Sequence, residues 1–194
     1  MRERVDELEE FGRSVWADGF TAAVLLGMGG SSLAPEVLRR AYGSDRLHVL
    51  DTTHPVAVRR VADSLDPEHT LFVVASKSGT TLETRSHLDF FWEWAGRRGS
   101  SFVAITDPGS ELEKLASERG FRATFAGEPT IGGRYSALSP FGIVPAALAG
   151  VDVQAVLEGG QVAAENCDLA DGNSGLWLGA ALGELARRGR DKLA

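Results

Sequence analysis

The chain has 194 residues, of which 43% are hydrophobic and 24% are charged, with a formal net charge of −7, and it suits one sizeable globular domain with appendages. The negative charge disfavours nonspecific binding to nucleic acids or to anionic membranes, which needs basic patches, but it allows a small anionic ligand held by local dipoles. No apolar run approaches the roughly 20 residues of a membrane span, and the charged N-terminus lacks a signal core, so we expect a cytoplasmic protein.

Short apolar runs alternate along the chain with segments of helical periodicity. Apolar residues at spacings of three and four predict an amphipathic helix over residues 1–17. The predicted strands are residues 21–27, 47–51, 70–76, 101–107 and 121–126. The predicted helices between them are residues 33–43, residues 55–65, the stretch from the third strand to about residue 98, and residues 110–120.

Strands separated by helices predict an α/β fold with three layers (αβα), in which a five-stranded parallel sheet has helices on both faces. In such sheets, ligands bind beyond the carboxyl ends of the strands, where the strand order reverses. The two loops richest in glycine and hydroxyl groups follow the first strand (GMGGSS) and the third strand (SKSGTT). This coincidence favours the strand order 2-1-3-4-5, which reverses between those two strands.

The loop SKSGTT, residues 76–81, concentrates hydroxyl groups before a predicted helix. These hydroxyls belong to Ser76, Ser78, Thr80 and Thr81. A helix N-terminus exposes backbone N–H groups that attract anions. We therefore interpret the loop as a phosphate-binding loop in which Gly79 permits the turn. Lys77 would add either its charge or its backbone N–H. The alternative interpretation is a capping box between Thr80 and Glu83, although capping does not require three further hydroxyls.

The loop GMGGSS, residues 27–32, is a weaker signal. Gly29 and Gly30 suit a close approach of the backbone to a ligand, and Ser31 or Ser32 could cap the next helix. The loop is also similar to a dinucleotide-binding fingerprint, with Asp51 where a ribose-binding acid would lie. Because Ser32 occupies the position of the third glycine, we interpret Asp51 as a turn or capping residue.

A third stretch, TIGGRYSALSPFGIVPAAL, places a single arginine after a pair of glycines. Arg134 lies in a predicted turn, just before an apolar helix that begins at a proline. Its planar guanidinium could reach into a cleft and hold an anion. The alternative is a surface arginine that is paired with a carboxylate.

Three motifs, GMGGSSLAPE, VVASKSGTTLET and GGRYSALSPFGIVPAAL, together resemble the phosphoglucose isomerase (glucose-6-phosphate isomerase) family. The resemblance implies the sugar isomerase (SIS) fold over residues 1–150, as the first of two such domains. It also implies a helical connector over residues 151–194 that leads toward the second domain. The first motif additionally resembles the isomerase part of transaldolase–isomerase fusions.

The resemblance also implies a site and a reaction. The implied substrate-binding residues are Gly30, Ser31, Ser76, Lys77, Ser78, Gly79, Thr80 and Thr81. Arg134 would be catalytic and would stabilise a cis-enediolate intermediate. The implied reaction interconverts glucose 6-phosphate and fructose 6-phosphate in glycolysis and gluconeogenesis. It needs neither a metal nor another cofactor, and the family implies a homodimer.

The family's base glutamate, ring-opening histidine and late lysine have no counterpart in this sequence. Glu83 reads as a capping residue and Glu128 as a loop acid. The histidines that match no family position are His48, His54, His69 and His87. Because general acid–base chemistry needs a positioned proton acceptor, we expect weak sugar-phosphate binding and no isomerase turnover from this chain alone. Two alternatives remain, namely an SIS module that senses a sugar phosphate and an NAD-binding domain.

Overall fold

The computed structural model describes residues 1–190 and residue 192, without the side chain of residue 2. The chain divides into two compact units, Met1–Val153 and Gln154–Ala194. Within the described residues, no helix is both long enough and apolar enough to cross a membrane.

The first unit alternates strands and helices. Its strands are β1 (Ala22–Gly27), β2 (Leu47–Leu50), β3 (Thr70–Ala75), β4 (Phe102–Thr106) and β5 (Ala123–Ala126). Its α-helices are α1 (Val5–Ala17), α2 (Gly30–Ala41), α3 (Pro55–Asp63), α4 (Leu82–Trp94), α5 (Glu111–Glu118) and α6 (Pro140–Leu148). Short 3₁₀-helices cover Arg2–Arg4, Gly99–Ser101 and Gly133–Leu138.

The strands form one parallel sheet in the order β2-β1-β3-β4-β5, which confirms the predicted topology. Every residue of β1 and β3 is buried, as expected for central strands that are covered on both faces. The strand order reverses between β1 and β3, which pair from Ala22 opposite Thr70 to Gly27 opposite Ala75. The two strands therefore end side by side.

Helices cover both faces of the sheet, so the predicted three layers are also confirmed. On one face, α3, α4 and α5 enclose a core in which Phe72 stacks on Phe91 and Phe102, with ring centroids 4.9 and 5.0 Å apart. On the other face, α2 packs on β1 and β2, and both α1 and α2 pack against α6. Helix α1 approaches α6 closely, since a Cβ at Gly12 would lie 2.9 Å from the Ala147 carbonyl oxygen.

Helix α2 begins three residues earlier than predicted, at Gly30 rather than at residue 33. Gly29 adopts a positive φ of 54°, which turns the chain so that the helix can begin at once. The expectation that Ser31 or Ser32 caps this helix is wrong. The N-cap residue is Gly29, and the Ser32 hydroxyl instead donates to the Gly29 carbonyl oxygen at 3.0 Å.

The second unit is helical. It contains α7 (Val153–Cys167) from Gln154 onward and α8 (Ser174–Arg187). Asn173 in the loop between them is buried, and its Nδ2 donates to the carbonyl oxygens of Cys167 at 2.6 Å and Leu169 at 3.2 Å. Its Oδ1 accepts from the Leu176 N–H at 3.0 Å, so one amide side chain both closes the loop and caps α8.

Candidate functional site

The loops after β1 and β3 lie next to each other at the carboxyl edge of the sheet. Gly27 is opposite Ala75 in the strand register. A Cβ built on Gly27 would lie 3.3 Å from the Ser31 Cβ and 3.4 Å from the Ala75 Cβ. The structure therefore brings together the two segments that the sequence singled out. We call residues 27–32 the glycine turn and residues 76–81 the hydroxyl loop.

Hydrogen bonds among its own side chains shape the hydroxyl loop. Ser76 is 3% exposed, and its hydroxyl accepts from the Gly79 N–H at 3.1 Å and lies 3.2 Å from the Thr81 hydroxyl. The Ser78 hydroxyl accepts from the Thr80 N–H at 3.2 Å and lies 2.8 Å from the Thr80 hydroxyl. The hydroxyls thus form two pairs within one turn, which gathers several uncharged donors at the start of α4.

Only glycine fits at the centre of the hydroxyl loop. Gly79 has a φ of 72°, which side chains rarely tolerate. A Cβ there would also overlap the backbone nitrogen of Leu112 and lie 2.8 Å from the Leu112 Cβ. The hydroxyl loop therefore packs against the first turn of α5, and this contact stabilises the conformation of the loop.

The predicted capping box between Thr80 and Glu83 does not form. Helix α4 begins at Leu82 with Thr81 as its N-cap residue, and no side chain makes a capping hydrogen bond there. The hydroxyl loop itself is the reason, because Ser78 accepts from the Thr80 N–H and its hydroxyl also pairs with the Thr80 hydroxyl. The first-turn amides of α4 consequently remain available to an anion.

The Lys77 ammonium points toward the neighbouring strands β4 and β5. It lies 3.0 Å from Asp107 Oδ1 and 2.9 Å from Asp107 Oδ2, and it donates to the Glu128 carbonyl oxygen at 2.9 Å. Its nitrogen is also 5.9 Å from the centre of the Phe141 ring. The side chain of Lys77 therefore joins the loops after β3, β4 and β5.

The segment that carries Arg134 rests on the glycine turn. A Cβ at Gly30 would lie 2.5 Å from the carbonyl carbon of Gly133 and 2.7 Å from its Cα, so the two backbones touch. Ser136 is buried, and its hydroxyl donates to the Gly133 carbonyl oxygen at 2.6 Å. Every predicted site residue thus belongs to one of three segments at the same edge of the sheet.

Arg134 itself is exposed and lies in the 3₁₀-helix Gly133–Leu138. Across residues 1–190 and 192, its guanidinium forms no hydrogen bond and no ion pair. The alternative of a surface arginine tied to a carboxylate is therefore wrong for the described residues. A guanidinium that keeps all its donors free, on a segment whose backbone contacts the glycine turn, can bind an oxyanion.

The remaining ionisable candidates hold structural positions. Glu128 Oε1 accepts from the Thr130 hydroxyl at 2.7 Å and from the Thr130 N–H at 3.1 Å, and these hydrogen bonds lower the pKa of Glu128. His87 is buried, with Nε2 3.0 Å from the Thr52 carbonyl oxygen, and burial lowers its pKa. Asp51 is exposed in the loop after β2. Among the described residues, no three acidic, histidine or cysteine side chains cluster as metal ligands would.

Sequence reasoning missed three residues of this edge, namely Asp107, Gly127 and Ser136. Asp107 directly follows β4, and the position of an acid at the carboxyl end of a predicted strand was a usable signal. Gly127 carried no comparable signal, because its role depends on contacts with Asp107 and Phe141, which lie far from it in the sequence. Ser136 bonds to Gly133 in its own turn, and nothing in the local sequence marked that hydroxyl.

A parallel sheet in the order 2-1-3-4-5, with hydroxyl-rich and glycine-rich loops at its reversal, is the arrangement expected of the sugar isomerase (SIS) fold. The sequence model of the phosphoglucose isomerase family matches residues 4–172. The glucose-6-phosphate isomerase of Rubrobacter xylanophilus is 34% identical, over 98% of this chain and 48% of its own length. The Thermus thermophilus enzyme of the same name is 40% identical, over 77% of this chain and 37% of its own length.

Two solved structures agree with these relatives. A hypothetical protein from Thermus thermophilus superposes with a TM-score of 0.82 at 34% identity, over 94% of this chain and 46% of that protein. A glucose-6-phosphate isomerase from Chlamydia trachomatis gives a TM-score of 0.74 at 34% identity, over 84% of this chain and 32% of its own. The chain belongs to the phosphoglucose isomerase family. It spans about half or less of the length of the curated relatives that it matches.

Proposed function

We propose that this chain is the sugar-phosphate-binding part of a glucose-6-phosphate isomerase, which interconverts glucose 6-phosphate and fructose 6-phosphate. One observation carries the proposal. The glycine turn and the hydroxyl loop directly follow β1 and β3, which are neighbouring strands. The segment with the unpaired Arg134 packs against the glycine turn. The names of the relatives, glucose-6-phosphate isomerase, support the same reaction.

The phosphate group of the sugar binds in the hydroxyl loop. The residues that contribute are Ser76, Lys77, Ser78, Gly79, Thr80 and Thr81 from this loop, with Gly30 and Ser31 from the glycine turn. Hydroxyls and backbone N–H groups at the start of α4 donate to the phosphate oxygens, and the helix dipole favours the negative charge. Lys77 contributes its backbone N–H rather than its ammonium, which is held by Asp107.

Arg134 acts on the reacting end of the sugar. During isomerisation, a proton moves between C2 and C1, and negative charge develops on the oxygens of a cis-enediolate. A guanidinium beside those oxygens stabilises that charge, which is commonly a large catalytic contribution. The carboxylate that moves the proton comes from the region of the relatives that this chain does not span.

The proposed setting of this activity rests on the resemblance to the family. We propose a cytoplasmic enzyme of glycolysis and gluconeogenesis that works as a homodimer. The reaction uses neither a metal nor another cofactor, and the enzyme acts on a small sugar phosphate rather than on nucleic acids or membranes.

A titration tests the binding step. Fructose 6-phosphate is added to the 194-residue chain while ¹H–¹⁵N spectra are recorded, with unphosphorylated fructose and NAD as controls. We expect shifts of the amides in residues 30–31 and 77–82 that saturate at roughly millimolar ligand, which corresponds to about −4 kcal/mol. Equal shifts with fructose, or shifts with NAD alone, would overturn the proposal.

A kinetic comparison separates the enzyme from a sugar-phosphate sensor. In the full-length protein, Arg134→Met should lower kcat by about 100-fold or more while the affinity for fructose 6-phosphate changes little. A sensor would show no turnover in the wild type. In a sensor, Arg134→Met would affect only the binding of the sugar phosphate.

A further inference from the structure

The segment that leads into Arg134, residues 128–133, is held at both ends. At its C-terminal end, the backbone of Gly133 touches Gly30 in the glycine turn. At its N-terminal end, the Glu128 carbonyl oxygen accepts a hydrogen bond of 2.9 Å from the Lys77 ammonium in the hydroxyl loop. Residues 128–133 are therefore anchored to both of the loops that we assign to the phosphate group.

The second anchor depends on Asp107. Both oxygens of its carboxylate lie close to the Lys77 ammonium nitrogen, at 3.0 and 2.9 Å. The Lys77 side chain is only 27% exposed and that of Asp107 only 19%. The Asp107 N–H and the Thr106 hydroxyl each donate to the Lys77 carbonyl oxygen at 3.1 Å. The backbone and the side chain of Lys77 are thus both bound to the end of β4.

The surrounding backbone leaves room for this carboxylate and for little else. A Cβ at Gly127 would lie 2.5 Å from Asp107 Oδ1 and 2.9 Å from Cε2 of Phe141. The Gly127 N–H donates to the Thr106 carbonyl oxygen at 2.7 Å, which ties the end of β5 to β4 just before Glu128. Because residue 127 is a glycine, the backbone at the end of β5 can pack directly against the Lys77–Asp107 ion pair.

Three protein oxygens lie within 3.0 Å of the Lys77 ammonium. It donates hydrogen bonds to Asp107 Oδ1 at 3.0 Å and to the Glu128 carbonyl oxygen at 2.9 Å, and Asp107 Oδ2 lies 2.9 Å from the same nitrogen. The side chain of Lys77 is consequently committed to joining the loops, although it arises from the middle of the hydroxyl loop.

We infer that Lys77 and Asp107 are positioning residues that hold the Arg134 segment against the phosphate-binding loops, and that the Lys77 ammonium is not itself a phosphate ligand. The inference rests on the proposed function and assigns a role to Asp107 in it. Because small displacements of a catalytic group can cost large factors in rate, loss of this pair should act on turnover more than on phosphate binding.

The test uses the full-length protein with Lys77→Met, Asp107→Asn and the double variant. Each single substitution should lower kcat by about tenfold or more, while the Kd of fructose 6-phosphate stays close to the wild-type value. Because both residues act as one unit, the double variant should lose about as much kcat as either single variant. Lys77→Arg keeps a cation beside Asp107 and should recover part of the lost kcat.

A matched control is available on α5. Lys114 and Glu111 form a 3.0 Å ion pair whose side chains are 62% and 58% exposed, and Lys114→Met should leave kcat and Kd unchanged. Thermal unfolding of every variant identifies any that fails to fold, and the milder Asp107→Asn then carries the test.

The outcomes separate the inference from the proposed function. If Lys77→Met raises the Kd about tenfold, as loss of a charge-assisted bond would, and Asp107→Asn does not, the ammonium is a phosphate ligand and the inference fails. Unchanged kcat in both single variants overturns it as well. A wild-type protein that neither binds nor converts fructose 6-phosphate would instead overturn the proposed function.

Discussion

Gly30 and Gly133 touch backbone to backbone, although 103 positions separate them in the sequence. Gly30 opens α2, and Gly133 opens the 3₁₀-helix that carries Arg134. Any side chain at position 30 would lie between the glycine turn and the arginine segment. The close packing of the arginine segment on the glycine turn therefore requires that residue 30 have no Cβ.

The first prediction is that Gly30→Ala destabilises the fold and displaces Arg134. The new Cβ would lie 2.5 Å from the Gly133 carbonyl carbon, so the backbone must shift, at a cost of about 1–3 kcal/mol in the free energy of unfolding. Urea unfolding measures that loss, and kcat of the full-length protein reports the displacement. Gly132→Ala is the matched control, because its Cβ would meet only Tyr135 Cδ2 at 3.6 Å. Equal losses in the two variants would contradict the prediction.

The second prediction concerns Gly79, where backbone strain and a steric clash coincide. Gly79→Ala should cost about 1–2 kcal/mol for the left-handed backbone and a further 1–3 kcal/mol, roughly, for the clash with Leu112. Gly109→Ala isolates the first contribution, since Gly109 has a φ of 76° and nothing within 4 Å of its would-be Cβ. Gly79→Ala should lower the free energy of unfolding clearly more than Gly109→Ala does. Similar losses in the two variants would contradict a costly clash with Leu112.

The third prediction is that Ser76→Ala weakens both the fold and ligand binding. Removing the hydroxyl leaves the buried Gly79 N–H without its acceptor at 3.1 Å, which should cost about 1–3 kcal/mol. The Thr81 hydroxyl also loses its partner. We expect a higher Kd for fructose 6-phosphate by calorimetry. Ser86→Ala is the control on α4, because its exposed hydroxyl only donates to the Leu82 carbonyl oxygen, and it should leave both quantities nearly unchanged.

The fourth prediction is a loss of stability in mild acid caused by His87. Burial lowers the pKa of this imidazole and outweighs the hydrogen bond with the Thr52 carbonyl oxygen and the charges of Glu83 and Asp51, which act in the opposite direction. The folded state therefore keeps His87 neutral, whereas the unfolded chain takes up a proton near pH 6.5. Stability from this group is present above about pH 6.5 and is lost as the pH falls, by at most about 1.4 kcal/mol per pH unit.

Urea unfolding of the wild type and of His87→Gln between pH 8 and pH 5 measures this effect. The wild type should lose more stability on acidification than the variant does. His54→Gln removes an exposed histidine that makes no capping hydrogen bond, and its pH profile should follow the wild type. Identical profiles for the wild type and His87→Gln would refute the assignment.

Much of the fold could be predicted because its signals are local. Buried parallel strands must be apolar throughout, so β1 and β3 stand out as uninterrupted hydrophobic runs. The strand order also followed from the sequence, because the two ligand-type loops must meet where the order reverses. The hydroxyl loop, the glycine turn and Arg134 were recognisable as motifs before their contacts were known.

The sequence by itself therefore determined the layers and the three segments of the site, since each is written in consecutive residues, and the positions of two of those segments favoured the sheet order. Only the tertiary structure decided how these segments engage one another. The capping box failed because the Ser78 hydroxyl already engages the N–H and the hydroxyl of Thr80, and the Lys77 ammonium pairs with Asp107 because that carboxylate lies at the end of the neighbouring strand. The contact of Lys77 with Asp107, like that of Gly30 with Gly133, joins residues far apart in the chain, and no local periodicity or spacing encodes it.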